Sequence, residues 1–286
     1  MSNLLSAYFS RLWKDPIFWL ALAFLVGDGI FMTMVQFIAP SWSTGNTYVL
    51  EDFCFNFHPV IGVASAVVCC LFLGREYQDG TLRNKLIAGH GRWKVYLAGL
   101  MVNAASSVLF ALGYSAFACI LGIPILGGFQ SGLSTVLLLI LSNILYVIAY
   151  ASIFTMIQML TGSRVVGVVV CILLALGLYL LGFQLHNLLR LPEYWPEQTY
   201  LDELTGEMVT IPPQPVHGYF DHPSRPLLEF FYELLPSSQG QILTSQGNMS
   251  VFKNPAHLER LPLYSFLLIA VTTAGGVIGF QKKKIS

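Results

Sequence analysis

Between Arg75 and Lys94 the chain reads REYQDGTLRNKLIAGHGRWK, setting five cations (Arg75, Arg83, Lys85, Arg92 and Lys94) against two acids, Glu76 and Asp79. The chemistry open to such a set is ion pairing, and the candidate partners of Glu76 are Arg83 or a cation of a partner. A membrane loop this basic belongs in the cytoplasm, so charge alone describes a solvated inner loop. Local signals add a helix. Asp79-Gly80 marks a turn, Thr81 caps a helix start, Leu82, Leu86 and Ile87 form one apolar face, and Gly89 and Gly91 close it. The expectation is a short amphipathic helix lying under a membrane.

Five other polar residues are candidates for a translocation path: Asp28, Asn56, His58, Asn103 and Asn143. Asp28 sits between Gly27 and Gly29 inside an apolar run, where a charge costs a few kcal/mol. It must therefore face protein, water or a partner, either lining a path or bonding a neighbouring helix. Asn56 and His58 precede Pro59 at the start of a second run, and His58 is either a pathway or pH-sensitive group or simply hydrogen-bonded. Asn103, Ser106 and Ser107 on one segment and Ser142, Asn143, Ser152, Thr155 and Gln158 on the next either bond between helices or line a cavity.

Catalytic signatures are lacking. The chain has no GxxxxGK[ST] phosphate loop, no HExxH and no GxSxG elbow, so any ATP chemistry belongs to another polypeptide. Cys54, Cys69, Cys70, Cys119 and Cys171 lie in or beside apolar segments without a CxxC pair, which argues against a disulfide framework or a metal site. Cys69 and Cys70 are expected to pack as small hydrophobes. Asn248-Met249-Ser250 matches a glycosylation acceptor, relevant only in a secretory setting.

The elements that position these residues are membrane helices. With 55% hydrophobic and 10% charged residues, the chain is too apolar for a soluble domain, and nothing in it supports a nucleic-acid partner. Residues 1–16 carry Leu4, Leu5, Tyr8, Phe9, Leu12 and Trp13 at helical spacing, with Ser6, Ser10, Arg11 and Lys14 opposite, which describes a helix lying on the inner leaflet of the bilayer. Asp15-Pro16 then turns the chain inward. Spans are expected at about 17–39, 55–74, 95–121, 133–160, 165–185 and 263–280, the third and fourth longer than the ~20 residues a crossing needs and so tilted or projecting. The first is expected to be uncleaved, since no small-x-small site follows it.

The segment 186–262 holds ten of the fourteen prolines and nine acids against Arg190, Arg225, Lys253 and Arg260. That balance places it outside. Within it a hairpin is expected from Tyr200 to Ile211, turning at Thr205-Gly206, and a helix from Leu227 to Leu235 opened by Pro226 and stopped by Pro236. Gly275, Gly276 and Gly279 suit close helix contact in the last span, and Lys282-Lys283-Lys284 holds the end of 263–286 inside. The fold expected is an all-α membrane protein of six transmembrane helices, both termini inside, with spans 1–5 in 17–185, the basic loop at 75–94, and a large outer loop between helices 5 and 6.

From Glu76 to Leu86, followed by Gly89-His90-Gly91-Arg92 and Tyr96, the sequence resembles the loop between the second and third helices of type-2 ABC transporter permeases. The order of elements is similar along essentially the whole chain, and Leu235-Pro236-Ser237-Ser238-Gln239-Gly240-Gln241 is similar to the outer segment before the last span in bacterial members. The resemblance implies a permease subunit, paired with a second identical or homologous permease in a bacterial plasma membrane. It implies docking of a cytoplasmic ATPase subunit, which would bind ATP and magnesium, through Glu76, Asp79, Gly80, Thr81, Leu82, Arg83, Asn84, Lys85, Leu86 and Arg92. The first helix would lie beside that ATPase or serve only as a membrane anchor. Export of a peptide, drug or other amphipathic cargo is the expectation. The alternatives are a sensor or immunity protein binding peptide at its outer loop, and a membrane-embedded enzyme built from His58, Asp28 or His186.

Overall fold

The computed structural model describes residues 2–38, 50–191, 193–195, 197–201, 208–217, 219, 223–244 and 257–283. Helix α1 (Ser2–Trp13) leads into α2 (Pro16–Ile38), followed by the short α3 (Leu50–Cys54), α4 (His58–Gln78), α5 (Thr81–Ile87), α6 (Arg92–Leu126), α7 (Leu133–Thr161) and α8 (Arg164–Arg190). Strands β1 (Tyr194–Trp195), β2 (Gln198–Leu201), β3 (Met208–Ile211) and β4 (Gln214–Pro215) come next, then α9 (Arg225–Leu234), α10 (Pro236–Thr244) and α11 (Leu261–Lys282). Among the described residues six helices are long and apolar enough to cross a membrane: α2, α4, α6, α7, α8 and α11. At 1.5 Å per residue the 35-residue α6 is roughly 50 Å long, well beyond a hydrocarbon core of about 30 Å. Such a helix tilts or projects.

Two of the six form the centre. More than half of the most apolar stretch of α4 and of α7 is buried, against under a third for each of the others. Around them α8 packs on α4, α11 on α7 and α6, and α2 on α6. Along α7, Tyr146, Tyr150 and Phe154 recur every fourth residue and form a ring ladder inside the bundle, with Phe57 stacked on Tyr146. Between helices the contacts run through small polar groups: Asn103 Nδ2 donates to Thr155 Oγ1 and Cys69 Sγ (3.0 Å each), and Ser107 bonds Ser65. The outer surface of α8 shows Val165, Val169, Leu173, Leu176 and Leu180, as suits a lipid-facing helix.

Several boundaries differ from the expectation. The second span begins at His58, after α3 has already folded from the expected outer connection, and α6 runs past Pro124 to Leu126, where Gly127 at φ 86° ends it. The expected Tyr200–Ile211 hairpin is present as β2 paired with β3, and β1 pairs with β4 in the same register, so the four strands make one antiparallel ribbon interrupted where Pro212 and Pro213 offer no N–H. Its turn at Thr205-Gly206, the Asn248-Met249-Ser250 site, the end of the first span at Ala39 and Lys284 lie outside the described residues. Pro236 does stop α9, and it also opens α10, every residue of which from Pro236 to Leu243 is buried.

Two of the three glycines of the last span pack closely as expected, whereas a Cβ on Gly275 would meet only Met156, at 3.9 Å. A Cβ on Gly276 would strike the Tyr96 ring and hydroxyl, and one on Gly279 would come within 2.7 Å of Leu160. Overpacking at such a contact typically costs about 1–3 kcal/mol, so Gly276→Val should lower the thermal unfolding temperature of the detergent-solubilised protein. Tyr96→Phe, which removes a hydroxyl lacking any partner among the described residues, should restore part of that loss. Gly177→Ala, facing open space, should leave the temperature unchanged or raised.

Candidate functional site

The last turn of α4 ends in Arg75-Glu76-Tyr77-Gln78, and successive residues of a helix point about 100° apart. Each of these four side chains therefore reaches a different element. Arg75 pairs with Asp15 at 2.9 Å, and the same carboxylate caps α2 by accepting from Ile17 N–H. Tyr77 donates to the Met159 carbonyl near the end of α7 at 2.6 Å, and Gln78 accepts from Arg164 at the start of α8. Glu76 is the centre of the group. Its side chain is 0% exposed, and it accepts from Lys85 Nζ of α5 at 2.6 and 2.7 Å, from Tyr8 hydroxyl of α1 at 2.7 Å and from Arg11 of α1.

The rings around this carboxylate complete the site. Lys85 Nζ lies 3.5 Å from the Tyr8 ring centroid, and the Arg11 guanidinium lies over Phe72. Burial, and then the charge of Glu76, push the Tyr8 hydroxyl far above its usual pKa, which keeps it a donor. Burial lowers the Lys85 ammonium, while Glu76 acts in the opposite sense. A carboxylate ringed by two cations and a hydroxyl satisfies the requirement that buried charge be paired and bonded.

Sequence reasoning placed Arg83 as the in-chain partner of Glu76 and Arg11 on the solvent side of the first helix. Both are corrected: Arg83 points outward from α5, and Arg11 turns inward to the carboxylate. Lys85, one helical turn from Leu82, occupies the face that Arg83 does not. The i, i+3 pair Tyr8 and Arg11 was the available signal, since it sets a hydroxyl and a cation together at the edge of the apolar face of the helix.

The cap of α5 is also corrected. Gly80, at φ 65°, is its N-cap, and Thr81 Oγ1 instead donates back to the Glu76 carbonyl at 3.3 Å. At the other end His90 N–H bonds Lys85 O and Gly89 N–H bonds Leu86 O, with Gly89 at φ 87°, the paired pattern of a glycine-terminated helix. Leu82 is buried and Leu86 half-buried, whereas Asp79, Arg83, Asn84 and Ile87 are exposed, Ile87 to 73%. Arg92 belongs elsewhere: it donates to the carbonyls of Phe280, Gln281 and Lys283, closing the end of α11. Together with Arg11 on Glu76, this brings both ends of the described chain to the α5 end of the bundle.

The five expected path residues are dispersed, and no hydrogen bond joins any two of them. Asp28 is half-buried, next to Gly29, which lies against Tyr114. Asn103 serves the contact between α4, α6 and α7. His58 bonds Thr244 of α10 at 3.2 Å, and Asn56 lies just before α4. Asn143 donates to Leu139 O and borders a cavity of about 330 Å³ lined by apolar groups of Phe55, Phe57, Leu112 and Ile140, together with Cys54 and Cys119. His186, at the end of α8, contacts Tyr232 and Arg190 and does not meet His58 or Asp28 in any hydrogen bond. Among the described residues no three metal-ligating side chains converge.

No family model matches the chain, and no curated protein matches it.

Breaking a buried ion pair by removing one partner typically costs about 3–5 kcal/mol, because the remaining charges lose their counterpart. Glu76→Gln should therefore lower thermal stability in detergent strongly, Lys85→Met less so, and Arg83→Ala within the scatter of the measurement. Equal melting temperatures for Glu76→Gln and Arg83→Ala would remove Glu76 from the centre of the site.

Proposed function

We propose that the chain is the membrane-spanning permease subunit of an ATP-driven exporter, taking its orientation from the eleven Lys and Arg of the α5-side segments against four on the other side. The observation that carries the reading is α5 itself: one face is clamped to the buried Glu76, and the other presents Arg83, Asn84 and Ile87 to a partner. A separate cytoplasmic ATPase would seat on that exposed face. A push on α5 would pass through Lys85 and Glu76 to α4 and α1, and through Tyr77 and Gln78 to α7 and α8. Two such subunits, identical or homologous, would surround the cargo path in a bacterial plasma membrane, and the ATPases would supply ATP and magnesium. The few charges within the spans favour an amphipathic cargo such as a peptide or drug.

A second reading, a peptide-binding sensor, draws on the ribbon of the opposite end, which exposes Tyr194, Trp195 and Met208. The two readings part at the ATPase. Purification in mild detergent with the ATPase encoded beside this chain should yield a stable complex whose ATPase activity changes on association. Arg83→Glu reverses an exposed charge and Gly80→Trp forces a side chain onto a left-handed backbone, so each should abolish the complex, Arg83→Glu without altering the melting temperature. Failure to bind any candidate ATPase would sink the permease reading and leave the ribbon as the binding element.

A further inference from the structure

The end of the bundle opposite α5 brings together two cysteines separated by 65 residues: Cys54 Sγ on α3 and Cys119 Sγ on α6 lie 2.7 Å apart. That separation is within roughly 0.7 Å of the ~2.05 Å disulfide bond. The contact is built from several sides. One stripe of α6 receives α3, with Ser115 Oγ donating to Cys54 O at 2.6 Å and Gly122 leaving room for Leu50. Glu51, the second residue of α3, accepts from the N–H groups of Gln130 and Ser131 at 2.8 and 2.7 Å, tying α3 to the connection between α6 and α7. With α3 held at both of these places, the two sulfurs stay in register.

We propose that Cys54 and Cys119 are a disulfide-forming pair, oxidised outside the cell and stapling α3 to α6. The location rests on the orientation of the permease reading, in which this end faces the oxidising side of the membrane. The oxidant is a disulfide of the thiol-oxidoreductase class. Cys119 is the more accessible thiol, Cys54 being 1% exposed. The Cys119 thiolate attacks one sulfur of the oxidant, forming a mixed disulfide and releasing the oxidant's other sulfur as a thiolate. Cys54, its proton passed to water, then attacks the Cys119 sulfur, forming the Cys54–Cys119 bond and expelling the second oxidant sulfur. Both protein thiols lose a proton, and the two electrons remain on the oxidant, now a dithiol. Cys119 lies near the outer end of its span, whereas Cys69, Cys70 and Cys171 lie farther from that face, Cys69 bonded by Asn103 and Cys70 beside Cys171 and donating to Gly167 O, beyond reach of the oxidant, and they remain thiols.

The test traps the redox state of the full chain in acid-quenched cells. Free thiols are alkylated with N-ethylmaleimide under denaturing conditions, and the sample is then reduced and treated with a polyethylene-glycol maleimide. Two additions per chain after reduction are expected for the native sequence, and none for Cys54→Ser or Cys119→Ser, each of which frees its partner. Absence of any addition in the native chain, or persistence of two additions in either serine variant, would overturn the pair. A parallel arm reads the orientation alone: Arg83→Cys in a chain lacking the five native cysteines should react with a membrane-impermeant maleimide only after the cells are opened. Reaction in intact cells would reverse the permease orientation without altering what the trapping measurement says of the pair.

Discussion

A carboxylate with no access to water must be surrounded by hydrogen-bond donors, and at Glu76 that requirement organises one end of the molecule. The donors come from two elements that share no other anchor of this kind, α1 before the first span and α5 after the second. Neither is long enough to be stable alone in water: α5 has seven residues and α1 twelve. Their placement is thus a property of the carboxylate as much as of their own sequences. Because Arg75, Tyr77 and Gln78 extend the same turn toward α2, α7 and α8, the end of α4 acts as a hub from which three other membrane-length helices are positioned.

The spans were legible because a run of about twenty apolar residues admits few other outcomes. The basic loop was legible for a related reason: a turn, an apolar face and two closing glycines lie within a few residues of one another. What composition could not specify was pairing across the chain. Glu76 was seen, but whether Arg83, Lys85 or Arg11 reached it depended on which face of α5 turned inward and on how α1 lay, both of which are set by packing of Leu82, Tyr8 and Leu12. The ends of α6 and α8 were missed because apolar periodicity fades before the caps do. The Cys54–Cys119 meeting left no mark in spacing at all.

The interior also separates two kinds of polar group that look alike in sequence. Asn103, Thr155, Ser65 and Ser107 bond one another across helix contacts, whereas the hydroxyls of Tyr114 and Tyr146 and Oδ1 of Asn143 have no partner among the described residues. The first set fixes helices in register. The second lies around Phe57, where α4, α6 and α7 meet near the 330 Å³ cavity, and leaves polar groups there uncommitted to any one helix contact.

Helix α10 has a sequence, PSSQGQILT, that would be at home in a solvated loop, yet it is wedged among α4, α7 and α8. Ser237 donates to Leu178 O on α8, while Gln239 accepts from Ser265 on α11, a helix that follows it in the chain. Its hydrogen-bonding partners are therefore made both before and after it during synthesis. Until the last crossing is in place, the buried Gln239 side chain of α10 lacks its donor from Ser265, so the final span completes the bonding of α10 as well as crossing the lipid.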